Sequence, residues 1–207
     1  MSNEQRREAL RAAADDFWDM ILLNIVYVFT CLPLITYGAA TGALYSAVAH
    51  LSKKQRHGGA VALYWGLLKQ NFRKAVLLWC GILALVILAV VDLAIIGQMP
   101  GMLKYCSYGL QAFALLLLQV VVTIGFPILA ETDLPLKETI KKAFEVLGRN
   151  PSRTLFSCLV QAAPLVVFFL APKAFAGLFL LWITVYFSFG EKLIDSAVGS
   201  AIRRGAS

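Results

Sequence analysis

The sequence predicts an all-α, polytopic transmembrane bundle, and three observations carry that expectation. First, 59% of the 207 residues are hydrophobic and only 15% are charged, with a mean hydropathy of +0.73. A soluble domain carries roughly a quarter charged residues, and one of this length could not hide so much apolar surface from water. Second, the apolar residues fall in stretches near the roughly 17–25 residues that cross a hydrocarbon core as a helix. Third, the lysines and arginines cluster between those stretches rather than within them.

Four stretches serve as spans, at about 75–96, 104–130, 154–171 and 175–190, the last of them short and so expected to cross with little tilt. The region 17–51 is too long for one span and just long enough for two short helices, about 17–33 and 36–51. Pro33 lacks a backbone donor and biases Leu32 away from helical geometry, while Gly38 is permissive, so Pro-Leu-Ile-Thr-Tyr-Gly reads as the turn. The expectation is therefore six helices in a single domain over 1–207, the first two a hairpin that either crosses twice or is re-entrant.

Basic residues orient the bundle, because cytoplasmic loops carry an excess of them. They occupy the N-terminus (Arg6, Arg7, Arg11), the 52–74 segment (Lys53, Lys54, Arg56, Lys69, Arg73, Lys74), the 131–153 segment (Lys137, Lys141, Lys142, Arg149, Arg153) and the C-terminus (Lys192, Arg203, Arg204). Of the 19 basic residues, only Lys104 and Lys173 lie elsewhere. A hairpin at 17–51 puts all four clusters on one side. This predicts a multi-pass protein of the cell membrane with both termini cytoplasmic. It also assigns the pI of about 9.4 to anionic lipid headgroups rather than to nucleic acid. The apolar run after Asp15, Asp16 and Asp19 lacks an early small-x-small cleavage pattern, so the first span is expected to remain as an anchor.

Two loops carry amphipathic helices. Over 134–147, Leu136, Ile140, Ala143, Phe144 and Leu147 form an apolar stripe, with Lys137, Glu138, Lys141, Lys142 and Glu145 filling the other positions. Such a helix suits the membrane interface, with Asp133 as its cap and Gly148 as its stop. Over 58–72 a weaker stripe is formed by Val61, Tyr64, Trp65, Leu68 and Phe72. The segments 67–74 and 146–153 resemble each other, and each leads straight into a span. That is either a parallel internal repeat or shared chemistry at two membrane-entry points.

Within the hairpin, Gly38 and Gly42 form G-x-x-x-G. Ser46 extends that row, and Ala39 and Ala43 form a second one. In lipid, small residues let helix backbones approach and gain dispersion contact, so these five residues are expected to pack against neighbouring helices. Asn24, Thr36, Thr41 and Tyr45 are the candidate ligand-binding residues. Their polar groups either bond across helices or line a cavity.

The stretch Leu32-Pro33-Leu34-Ile35-Thr36-Tyr37-Gly38-Ala39-Ala40-Thr41-Gly42-Ala43-Leu44-Tyr45 resembles the signature of the YesL family of bacterial integral membrane proteins, a domain of unknown function. Trp18 and Asn24, Phe126-Pro127 and Arg149-Asn150-Pro151 also look like that family. The resemblance implies a role linked to carbohydrate uptake, because such proteins are often encoded beside sugar-uptake and polysaccharide-degrading functions. It implies no defined reaction.

The sequence offers no catalytic constellation: there is no H-E-x-x-H, G-x-S-x-G or Walker loop. The cysteines Cys31, Cys80, Cys106 and Cys158 are scattered and read as small packing residues, so neither metal nor cofactor is expected. Gln111, Gln119 and Gln161 read as glue between helices, Pro127 and Pro164 as kinks, and Asp92 as interfacial. Glu191, beside Lys192, reads as a solvated end group. The expected function is an accessory or permease-like component linked to carbohydrate uptake. The alternative is a non-catalytic scaffold or regulator that binds a membrane-protein partner or a second copy of itself.

Overall fold

The computed structural model describes residues 3–52, 59–98 and 100–203, and these form an all-α bundle with no strand among the described residues. Helix α1 spans Asn3–Cys31, α2 Tyr37–Ser52, α3 Ala60–Gln70 and α4 Phe72–Ile96. Helix α5 spans Gly101–Glu131, α6 Leu136–Arg149, α7 Pro151–Leu170 and α8 Pro172–Gly177. Helix α9 covers 179–203. Two of these, α4 and α5, are long and apolar enough to cross a membrane. Lys53, Lys54, Arg56, His57 and Arg204 lie outside the described residues, as does the start of the 58–72 segment.

The hairpin forms where proline and glycine chemistry places it. Helix α1 stops at Cys31, Pro33 is extended, and a single 3-10 turn over Leu34–Thr36 leads into α2. Thr36 holds the turn by donating its hydroxyl to the carbonyls of Thr30 and Pro33. Helix α2 is the centre of the fold. Every residue from 38 to 49 is buried, against α1, α3, α4, the last turns of α5, and α9. A helix built largely of glycine and alanine can be surrounded in this way because its neighbours' backbones come close on several sides. A Cβ on Gly38 would lie 2.5 Å from the Phe126 ring, and one on Gly42 would lie 3.1 Å from the Phe126 carbonyl oxygen and 3.3 Å from the Ala130 Cβ.

Both amphipathic helices meet their long helices through one asparagine. Asn71 joins α3 to α4 and Asn150 joins α6 to α7. Each opens the longer helix in the same way: Ala75 N–H donates to the Asn71 carbonyl and Thr154 N–H to the Asn150 carbonyl, both at 3.0 Å. The two similar segments share this opening bond, while the asparagines differ in backbone geometry, with ψ 13° at Asn71 and 63° at Asn150.

Several expectations are corrected. Helix α1 extends well before residue 17, carrying Arg6, Arg7 and Arg11 within it. The stretch 175–190 is not one helix: Leu178 leaves helical geometry after the poor helix former Gly177, and α9 starts beyond it. Asp133 does not cap α6, because its carboxylate lies 3.7 Å from Lys74 Nζ, and Asn150 rather than Gly148 ends that helix. The buried side of α6 is Thr139, Lys142, Ala143 and Val146. It is rotated from the apolar stripe because Leu136, Ile140 and Phe144 face a separate apolar groove formed with α4 and α5. Burial lowers the pKa of Lys142, whose ammonium has no protein partner. Helix α3 is one-sided: Ala60, Tyr64 and Leu68 pack inward, with the Tyr64 hydroxyl 2.6 Å from that of Thr30, while Trp65 of the expected stripe stays exposed. Cys80 and Cys106 are exposed, so only Cys158, and in part Cys31, pack as expected.

Pro127 and the π turn at Val121–Gly125 explain each other. Proline has no N–H for the carbonyl four residues back, and its ring crowds that position, so the helix widens by a turn before it. A second π turn, Trp182–Tyr186, interrupts α9, and no proline accounts for it. Gln111 joins α5 to α4 by donating to the Ala89 carbonyl at 3.3 Å, whereas Gln119 bonds within its own helix, to Thr123 at 3.4 Å.

Candidate functional site

The second π turn is held from outside by Asn24 on α1. Its Nδ2 donates to the Trp182 carbonyl at 3.0 Å and to that of Ile183. Its Oδ1 accepts the Ser188 N–H at 2.8 Å and the Ser188 hydroxyl at 3.3 Å. Ser188 also donates to the Met20 carbonyl at 2.9 Å. A π turn leaves backbone groups out of register with the regular ladder, and a buried amide offers both donors and acceptors to meet them. Asn24 is fully buried, and its amide is spent on this clasp.

The other hydroxyls of the hairpin point to different neighbours. Thr41 donates to the Tyr37 carbonyl at 2.9 Å and meets the Tyr27 hydroxyl at 3.3 Å. Tyr45, on another side of α2, donates to Asp195 at 2.9 Å, and Arg203 holds the same carboxylate oxygen at 2.6 Å. Gly199 gives that pair its room, since a Cβ there would collide with the Asp195 Oδ1. Ser46 donates to Glu131 at 3.0 Å. Thr36 sits at the exposed end of the hairpin. Asn24, Thr36, Thr41 and Tyr45 are thus dispersed around the hairpin, each bonded within the protein.

Beside Thr41 the structure brings together a different set. Tyr27 and Tyr37 from the hairpin, Gln161 from α7, and Tyr186 and Glu191 from α9 wall one small cavity. It offers about 20 Å³ to the centre of a water-sized sphere, which is room for a water-sized occupant and not for a sugar. Glu191 is not a solvated end group: its relative exposure is 6%, and its Oε2 has no partner in the protein. The Oε1 of Gln161 is likewise buried and unpartnered. The sequence carried a signal for this, since Ser188, Glu191, Ile194, Val198 and Ile202 follow helical spacing along the buried side of α9.

Pro164 shapes the opposite wall. It lies inside α7 and cannot donate to Val160, whose carbonyl instead accepts the Tyr186 hydroxyl at 2.6 Å. A helix break of this kind is tolerated when a neighbouring helix supplies the missing donor. Tyr186→Phe should lower the unfolding free energy in detergent by about 0.5–1.5 kcal/mol, measured by denaturant titration.

Comparison with known proteins adds one match. Residues 20–93 match the family model described as "Protein of unknown function, DUF624". The matched stretch takes in the buried half of α1, the turn, all of α2 and α3, and most of α4, and so includes Asn24, Thr36, Thr41, Tyr45 and the glycine row. No curated protein and no solved structure matches the chain.

Proposed function

We propose that the chain is a multi-pass protein of the cell membrane in which α4, α5, α7 and α8–α9 cross, the α1–α2 hairpin is re-entrant, and both termini face the cytoplasm. The shared side of the four basic clusters supports this orientation. The reach of the hairpin supports re-entry. Its turn meets α4 at Trp79, whose Nε1 donates to the Leu34 carbonyl, and from there α4 runs on to Ile96, about 25 Å further. Phe29, Leu32, Leu34 and Ile35 are exposed at that turn, an apolar surface suited to lipid rather than to water.

Within the membrane, the reading best supported is that of a non-catalytic accessory protein, a scaffold or regulator that works by binding a membrane partner. The observation that carries it is the commitment of the interior. Asn24, Thr41, Tyr45 and Ser46 bond to the protein itself, and the polar cavity beside them is water-sized. A conduit for a sugar needs unspent polar groups around a sugar-sized space. The YesL-like signature points to carbohydrate-uptake machinery as the setting of that partner. The outer faces of α4 and α5 expose Gly81 and Gly109, where an added Cβ would meet nothing, so a partner helix can approach closely there.

Crosslinking in native membranes, followed by pull-down, tests the reading. A defined membrane partner should be captured by the wild type and lost from Gly81→Leu and Gly109→Leu, each of which should still elute as folded protein because an added Cβ meets nothing there. A chain that stays alone at native expression overturns the scaffold. Unchanged growth and uptake on plant-derived oligosaccharides after gene deletion removes the sugar link.

A further inference from the structure

We propose that the cavity between α2, α7 and α9 binds one monovalent cation of about the size of a water molecule, with the Glu191 carboxylate supplying its countercharge. This goes beyond the partner-binding reading and does not depend on it.

The wall offers more free acceptors than donors. The Tyr186 hydroxyl proton is committed to the Val160 carbonyl. Thr41 gives its proton to the Tyr37 carbonyl, so Tyr27 is the donor in the Tyr27–Thr41 contact. Tyr27 and Tyr186, which line the cavity, therefore have only hydroxyl lone pairs left to offer, and Gln161 Oε1 and Glu191 Oε2 in the same wall are buried and unpartnered. Tyr37 can add a hydrogen bond but no charge. No lysine, arginine or histidine lines the space. Arg203, further along α9, is held by Asp195 beside Tyr45.

A buried carboxylate without a counter-ion is strongly unfavourable, and the unpartnered oxygen of Gln161 in the same wall compounds the cost. A small cation answers both. One carboxylate matches one positive charge. Calcium would demand six to eight oxygen ligands, and no cluster of three acidic, histidine or cysteine side chains stands here among the described residues. The available space fits sodium, potassium or ammonium stripped of most of its water.

The test is thermal unfolding of the full chain in detergent, at fixed ionic strength, in the chlorides of sodium, potassium, ammonium and N-methylglucamine. The last cation is too large for the cavity. At least one small cation should raise the wild-type midpoint by about 3–5 °C at tenfold over its Kd, relative to N-methylglucamine. Glu191→Gln keeps the shape and removes the charge, so the difference between salts should vanish. Gln161→Met keeps the charge and removes one oxygen, so the response should persist with affinity weakened about tenfold. Equal wild-type midpoints in all four salts overturn the proposal, as does an undiminished response in Glu191→Gln. Should that variant fail to fold, an unweakened response in Gln161→Met overturns it.

Discussion

Gly42→Leu is expected to abolish the stable bundle. The glycine lies one turn into the most enclosed helix of the fold, where a Cβ would already press on the Phe126 carbonyl and the Ala130 side chain. Those groups belong to the last turns of α5, which Pro127 and the π turn fix in place. A leucine there must push α2 and α5 apart and break the packing of the whole row from Gly38 to Ser46. Overpacking in a well-formed core costs about 1–3 kcal/mol, and here the obstacle is backbone rather than a flexible side chain, so the loss should exceed about 3 kcal/mol. Size-exclusion chromatography in detergent should show aggregated or absent protein. Gly148→Ala is the matched control, because its Cβ meets nothing and it sits inside α6. It should raise the stability by up to about 1 kcal/mol.

Asn24→Leu has the second largest expected effect. The isosteric apolar side chain strips the Trp182 and Ile183 carbonyls and the Ser188 N–H of their partner in a site sealed from water. Each buried polar group left unmet costs about 1–3 kcal/mol, so the variant should lose on the order of 2–4 kcal/mol in equilibrium unfolding. Asn24→Asp should also lose stability, because it keeps the acceptors for Ser188 and faces two carbonyl oxygens with a carboxylate. Asn24→Leu protein as stable as the wild type would show that the π turn in α9 supports itself.

The fold class and the hairpin were legible because they rest on local chemistry: apolar length, the Pro33 turn and the small-residue rows. The two junctions were visible as similar segments, and the structure shows the single asparagine at each one. The polar interior was harder to read. Asn24 and Tyr45 stand in a buried context, but their partners lie 158–164 and 150 positions away, so no local pattern pairs them, whereas Thr41 bonds nearby, to Tyr37 and Tyr27. Glu191 was misjudged because Lys192 follows it, although the helical spacing of its buried neighbours puts it inside. Lys142 was misjudged because α6 has two apolar contacts, one with the bundle and one with the groove formed by α4 and α5, and a single stripe cannot describe both.

The central position of α2 also sets a problem of timing. Helix α2 is made early, yet Phe126 and Ala130 follow it only after most of α5 is built, and Asp195 comes 150 residues after Tyr45. At about 5–20 residues per second, Tyr45 waits roughly 8–30 s for its partner. Until α9 is made, the Tyr45 hydroxyl lacks its partner, and the side of this glycine- and alanine-rich helix that meets α9 stays uncovered although α1, α3, α4 and the end of α5 come to lie beside it. The nascent hairpin is thus the incomplete part of a structure whose last helix has yet to leave the ribosome, and one side of its central helix must be sheltered by something else in that interval.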